Sequence, residues 1–262
     1  DESDILQELY DDPYTSVVCM YLESISRGKL FIEKLQQLTS KKPVIIMIGG
    51  VSEKGKIATA SHTGSISWSK EMYEAAIKKG GWILTYSLTD FFNLIEIFSL
   101  NITRELYWEP FIITNAGGIW VLATDQADFY KLSIAKIDTN TSISIMKNMP
   151  TMMSTKNPID IIGDADSTRV DQILKNLSEI KNQADIIFLF TVQATTDIDT
   201  IAMNIANFYQ SHKYYNIFVG LIGGDTISTA RDILVHAGIF VTYSTESIIG
   251  SYNEILDYKF WK

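Results

Sequence analysis

A histidine stands among small polar residues in Ser61-His62-Thr63-Gly64-Ser65, in a chain that has three histidines in all. The segment lies between an apolar run, KPVIIMIGG, and an amphipathic stretch that closes on Gly80 and Gly81. That order reads as strand, loop and helix, and loops at such junctions bind ligands. The plainer reading is a histidine that caps a helix start or is simply solvated. A second junction, Gln193-Ala194-Thr195-Thr196-Asp197, sits between the run ADIIFLFTV and a helical pattern. Free N–H groups and the positive helix end point out from a sheet edge there, a ready place for phosphate. Asn115, Gly117 and Gly118 in TNAGG also follow a strand and open a helix. Their glycines admit close backbone approach, although a structural turn accounts for them equally well. Glu23 ends the run SVVCMYLE, at the carboxyl edge of a strand where α/β sheets present ligand-facing groups. Taken alone it is also an ordinary carboxylate in water. Gly223-Gly224-Asp225 reads as a turn and an N-cap, and His212 and His236 fall at helix ends. No Cys/His spacing suggests a structural metal, and Trp68, Trp82, Trp108 and Trp120 read as core or interface filler.

These residues need a frame to hold them. Eight apolar runs read as strands: TSVVCMYLE, KPVIIMIGG, GWILTY, EPFIITNAGG, PIDIIG, ADIIFLFTV, NIFVGLIGG and GIFVTYS. Each is followed by a segment of helical period, so the class is α/β with parallel strands covered on both faces. Ser87 and Asp90, then Asp166 and Ser167, mark helix starts; Gly80, Gly81 and Gly238 sit where C-terminal turns favour positive φ. GWILTYSLTDFFNLIEIF from Gly81 and GIFVTYSTESIIGSYNEIL from Gly238 align without gaps through a shared Thr-Tyr-Ser. Each is the last strand and helix of an α/β unit, so two units of similar fold are expected, residues 1–103 and 104–262. The second has five strands. The first has three, and an opening strand and helix are expected before Asp1, where DESDILQELYDDP reads as a helix in the middle of a domain.

Composition narrows the partners. With 46% apolar and 20% charged residues the chain can bury real cores, and a net charge of −9 offers no basic face to nucleic acid or anionic lipid. The longest apolar runs are strand-sized, far short of the ~20 residues that span a bilayer. The single cysteine, Cys19, is expected to be a buried free thiol, and a chain without a disulfide framework suits a reducing cytoplasm.

Four segments then occur in order: SHTGSISWSKEMYEAA, TNAGGIWVLATD, NPIDIIGDADSTRVDQIL and IGGDTISTARDILVHAGIFV. Together they resemble the ADP-forming acyl-CoA synthetases of the acetate–CoA ligase type, relatives of succinyl-CoA synthetase. The resemblance covers essentially the whole chain. It implies two flavodoxin-like ligase domains, the first incomplete at its start, and a phosphohistidine, which His62 matches. Ser61, Thr63, Gly64 and Ser65 would then supply hydroxyl and N–H donors to phosphate oxygens. Glu23 matches the glutamate that supports the phosphohistidine and would hold its second ring nitrogen. Thr195 and Thr196 match one of two helix starts that cradle the phosphoryl group, with Asn115, Gly117 and Gly118 as further candidates.

By the same resemblance the reaction is acyl-CoA, phosphate and ADP to free acid, CoA and ATP, in either direction. The CoA-binding Rossmann domain and the ATP-grasp domains have no counterpart here, so they are expected as partners, in an oligomer. CoA, ATP or ADP and magnesium are expected of the complete enzyme, and no cofactor or metal of this chain itself. A different class of function is a non-catalytic acyl-CoA-sensing or scaffold region, as in related protein acetyltransferases, where resemblance suggests that the histidine is lost. Retention of His62 favours the enzyme. A flavin-binding domain would need a phosphate turn after its first strand, and no flavin signature is visible.

Overall fold

The structure, a computed structural model, describes residues 1–64, 68–100, 105–154 and 156–260, with no description of the side chains of residues 63, 259 and 260. The chain divides into two compact units: residues 1–101 together with 254–262, and residues 102–253.

In the first unit the order is α1 (Glu2–Asp11), β1 (Val18–Leu22), α2 (Gly28–Thr39), β2 (Val44–Ile48), α3 (Glu53–Thr63), α4 (Lys70–Gly80), β3 (Ile83–Thr85) and α5 (Leu88–Ser99). The strands are parallel in the order β1-β2-β3. Side chains alternate between the faces of a strand. Val18, Met20 and Leu22 pair with Val44, Ile46 and Ile48, and this face packs against Leu6 of α1, Phe31, Leu35 and Leu38 of α2, and Tyr73 of α4. Burying side chains of that size stabilises the unit by roughly 1.5–3 kcal/mol each. On the opposite face Ile45, Met47 and Ile83 pack under Phe91 and Leu94 of α5. Cys19 and Tyr21 point to that second face, opposite Ile45 and Met47. α5 covers β2 and β3 but not β1, so Cys19 is exposed rather than buried as its apolar run suggests.

The second unit contains β4 (Phe111–Thr114), α6 (Gly117–Phe129), α7 (Thr139–Ile145), β5 (Ile159–Asp160), α8 (Ser167–Ile180), β6 (Ala184–Thr191), α9 (Ile198–Ser211), β7 (Tyr215–Ile222), α10 (Ser228–His236) and β8 (Phe240–Thr242). A final helix, α11 (Thr245–Phe260), begins in this unit. Its five strands are parallel in the order β5-β4-β6-β7-β8. From Ala184 to Phe190 and from Tyr215 to Leu221 every residue is buried, as expected of central strands covered on both faces. From Glu254 on, α11 clusters with the first unit, where the Tyr258 ring meets Phe98 edge to face at 5.1 Å. The expected second domain, residues 104–262, thus gives up its last turns to the first unit.

Helix ends follow the expected residues: Ser87 caps α5 through Asp90 N–H, Asp166 caps α8 through Arg169 N–H, and Gly81 takes φ 71° after α4. Gly80 is the exception. It stays inside α4, and a Cβ there would lie 1.6 Å from the Trp82 ring, so close approach and not positive φ requires glycine.

Candidate functional site

His62 lies on a helix, not in a loop. Ser52 caps α3 through Gly55 N–H, and the helix runs to Thr63 before Gly64 ends it at φ 70°. The sequence gives little warning of this helix because its residues lack an apolar stripe: Ile57 is 69% exposed, and among the described side chains of the helix Thr59 is the buried one. His62 and Ser61 are exposed in the last turn. The Ser61 hydroxyl donates to Ile57 O at 2.9 Å, and Gly64 N–H donates to Ala60 O at 3.1 Å. Both donors serve the helix in this conformation, and they could face an anion only if the last turn opened. The Thr63 side chain and Ser65 lie outside the described residues.

Glu23 follows β1 at the carboxyl edge of the three-stranded sheet and is half-buried. Its Oε1 accepts from the Tyr21 hydroxyl at 3.1 Å. The same hydroxyl lies against Gly49, just past β2, where a Cβ would come within 2.5 Å of it. Sequence reasoning missed Tyr21 and Gly49. The available signal was their spacing: Tyr21 stands two residues before Glu23, and the glycine follows the neighbouring strand.

In the second unit the candidates gather at the carboxyl edge of β4 and β6, but several are turned inward. The Asn115 side chain is fully buried and fully used. Its Nδ2 donates to Thr191 O at 2.9 Å and to Thr196 Oγ1 at 3.4 Å. Its Oδ1 accepts from Thr191 N at 2.9 Å and from Thr191 Oγ1 at 3.3 Å. An amide has two donors and one carbonyl oxygen, so no part of this side chain is left to reach a phosphate. Thr196 differs: its Oγ1 also accepts from Gln193 N at 3.2 Å, which uses both lone pairs and leaves the hydroxyl proton as a donor. Thr195 is exposed, with its hydroxyl 3.5 Å from Gly163 O. Gln193, which sequence reasoning did not single out, donates to Asn115 O at 3.1 Å and Thr191 Oγ1 at 3.2 Å.

The two helix starts also differ. α9 is capped by Asp197, whose carboxylate accepts from Thr200 N–H at 3.4 Å and from the Thr200 hydroxyl, so a negative group already occupies its positive end. Thr195 and Thr196 precede that cap. α6 has no capping side chain: Ala116 occupies the cap position, and Gly117 and Gly118 form the first turn. A Cβ on Gly118 would meet nothing within 4 Å, and one on Gly117 only Asp160 Oδ2 at 3.5 Å. The start of α6 is therefore the more open one. His212 and His236 end α9 and α10, each with Nδ1 against a carbonyl one turn back. No group of three or more His, Cys, Asp or Glu that could hold a metal occurs among the described residues.

Parallel strands covered by helices, three in the first unit and five in the second, define a flavodoxin-like fold. Residues 1–98 match the model of the succinyl-CoA ligase like flavodoxin domain. Over its whole length the chain is 31% identical to the alpha subunit of acetate–CoA ligase [ADP-forming] I from Pyrococcus furiosus, covering 56% of that protein. It is 30% identical, over 94% of its length and 35% of the relative's, to 4-hydroxybutyrate–CoA ligase [ADP-forming] from Nitrosopumilus maritimus. Among solved structures, the dinucleotide forming acetyl-coenzyme A synthetase 1 of Ca. Korarchaeum cryptofilum, in complex with phosphate and ADP, superposes with a TM-score of 0.87 at 27% identity. That match covers 99% of this chain and 56% of the other. The chain thus spans about half the length of the first relative and of this structure.

Proposed function

We propose that the chain is the phosphohistidine-bearing part of an ADP-forming acyl-CoA synthetase, which converts acyl-CoA, phosphate and ADP to free acid, CoA and ATP reversibly. The observation that carries this reading is the exposed His62 in its Ser-His-Thr-Gly setting, within a chain that resembles such ligases end to end. A neutral imidazole nitrogen has a lone pair that can attack the phosphorus of an acyl phosphate. The N–P bond forms as the bond from phosphorus to the acyl oxygen breaks, and the carboxylate leaves. The phosphoryl group then passes from nitrogen to the terminal phosphate oxygen of ADP, which restores the imidazole. Glu23 would accept the ring's other N–H, fixing its tautomer and its orientation.

The start of α6 supports an anion at the second unit, through main-chain N–H groups at Gly117 and Gly118 rather than through the Asn115 side chain. CoA and nucleotide would be bound with partner regions, a CoA-binding Rossmann domain and ATP-grasp domains, in an oligomeric cytoplasmic enzyme. Magnesium belongs to the same reading, held with the nucleotide phosphates. Relatives named for acetate and for 4-hydroxybutyrate are about equally similar, so the acid is left open.

The test uses the complete enzyme, with its ATP-grasp parts, given ATP and magnesium. Wild type should gain one acid-labile phosphate by intact-mass analysis and His62→Asn none. Equal labelling of the two proteins, or none in either, would overturn the enzyme reading in favour of a scaffold.

A further inference from the structure

We propose that Tyr21 is a positioning residue that holds the Glu23 carboxylate in place for His62, with Gly49 as the seat of its hydroxyl; this rests on the reading of Glu23 as the partner of the histidine. Tyr21 sits on the face of β1 that α5 leaves uncovered and is 55% exposed, so burial of its ring does not explain its presence there. What it touches does. The phenol bridges from β1 to the carboxylate just beyond the strand end, donating to Oε1 at 3.1 Å.

The bridge is braced from the neighbouring strand. Gly49 N–H donates to Leu22 O at 2.9 Å, which keeps β1 and the chain after β2 in register at this edge. The bare Cα of Gly49 leaves room for the hydroxyl; an added Cβ would lie 2.5 Å from the oxygen and 3.2 Å from Cζ. The bond to Tyr21 restricts the side-chain torsions of Glu23 and fixes where Oε1 lies. The phenol also stays protonated, since desolvation first, and then the bond to Glu23 and its charge, raise its pKa above the ordinary value. It is a permanent donor. The carboxylate is thereby presented at the edge from which α3 and His62 follow.

The test compares Tyr21→Phe, Glu23→Gln, the double variant and Gly49→Ala in the complete enzyme. The readouts are the rate of His62 phosphorylation from ATP by rapid quench, the KM for ATP, and thermal unfolding. Loss of a hydrogen bond to a charged group should slow phosphorylation about tenfold in Tyr21→Phe. The KM for ATP should not move, because Tyr21 acts through Glu23 and not on the nucleotide, and the melting temperature should change little because the residue is more than half exposed. Glu23→Gln should be slower still, and the double variant no slower than Glu23→Gln, since Tyr21 acts through Glu23. Gly49→Ala should slow the step in the same direction by displacing the hydroxyl. A wild-type rate in Tyr21→Phe beside a slow Glu23→Gln would overturn the role of Tyr21 and leave that of Glu23 standing. Additive losses in the double variant would also overturn it. A wild-type rate in Glu23→Gln would bring down the reading beneath.

Discussion

Asn115 shows how a residue can matter to a site without facing its ligand. Its amide ties β4 to the end of β6 and to the turn that leads into α9, and Gln193 closes the same ring of bonds from the other side. Removing the amide strands the Thr191 N–H and carbonyl and loosens Thr196. A buried group left without its partner costs about 1–3 kcal/mol. Asn115→Ala should therefore lower the stability of the chain by about 2–3 kcal/mol in urea unfolding, with little change in the slope. A loss below about 0.5 kcal/mol, the ordinary range for a surface substitution, would mean that the ring of bonds does not exist in solution. Asn115 was legible in the sequence as a residue of interest because it follows a strand and precedes two glycines. Its orientation was not, because an amide that faces a ligand and one that faces its own sheet look alike in sequence.

At the scale of elements, α3 differs from every helix around it. It is 11 residues long and, among its described side chains, buries Thr59, whereas α9 buries Ile198, Ile201, Ala202, Ile205 and Ala206. A helix that short is marginal in water unless an apolar face docks it. Amide hydrogens of residues 57–63 should therefore exchange far faster than those of residues 202–208, by about a hundredfold or more if local opening of α3 costs ~3 kcal/mol less. Comparable protection in the two helices would show that α3 is docked and that the turn bearing His62 is held. The same property hid α3 from sequence reasoning. The eight strands were legible because each is a continuous or alternating apolar run, and most helices because an apolar stripe recurs along them. α3 has neither mark, and its glycine and small residues resemble a loop. Cys19 was misplaced for a related reason: VVCMYL is apolar throughout, but only every second residue of β1 faces a covering helix.

Across the whole molecule, α11 begins in the second unit and ends in the first. Glu254 stands where it enters the first unit. Burial, and then the negative charges of Asp257 and Asp90, push its carboxyl up to about 7 from an ordinary 4.5. A carboxyl whose pKa is higher folded than unfolded binds its proton more tightly in the folded state. Its contribution to stability is complete below about pH 4.5 and is lost as pH rises through about 7. Glu254→Gln should thus match wild type at about pH 4 and be the more stable of the two at about pH 8, measured by chemical unfolding at both. The same difference at the two pH values would show that Glu254 is ordinarily solvated.

The uncovered face of β1 has a practical consequence on this scale. Cys19 is exposed there, on the same face as Tyr21, and the chain has no other cysteine. A thiol-reactive fluorophore would therefore attach at one known point without any engineering. Partial desolvation raises the thiol pKa, so labelling should quicken as the buffer is made more alkaline. Two residues from the phenol that holds Glu23, the dye would report on any segment or partner that comes to cover this face, through its emission and its accessibility to a quencher.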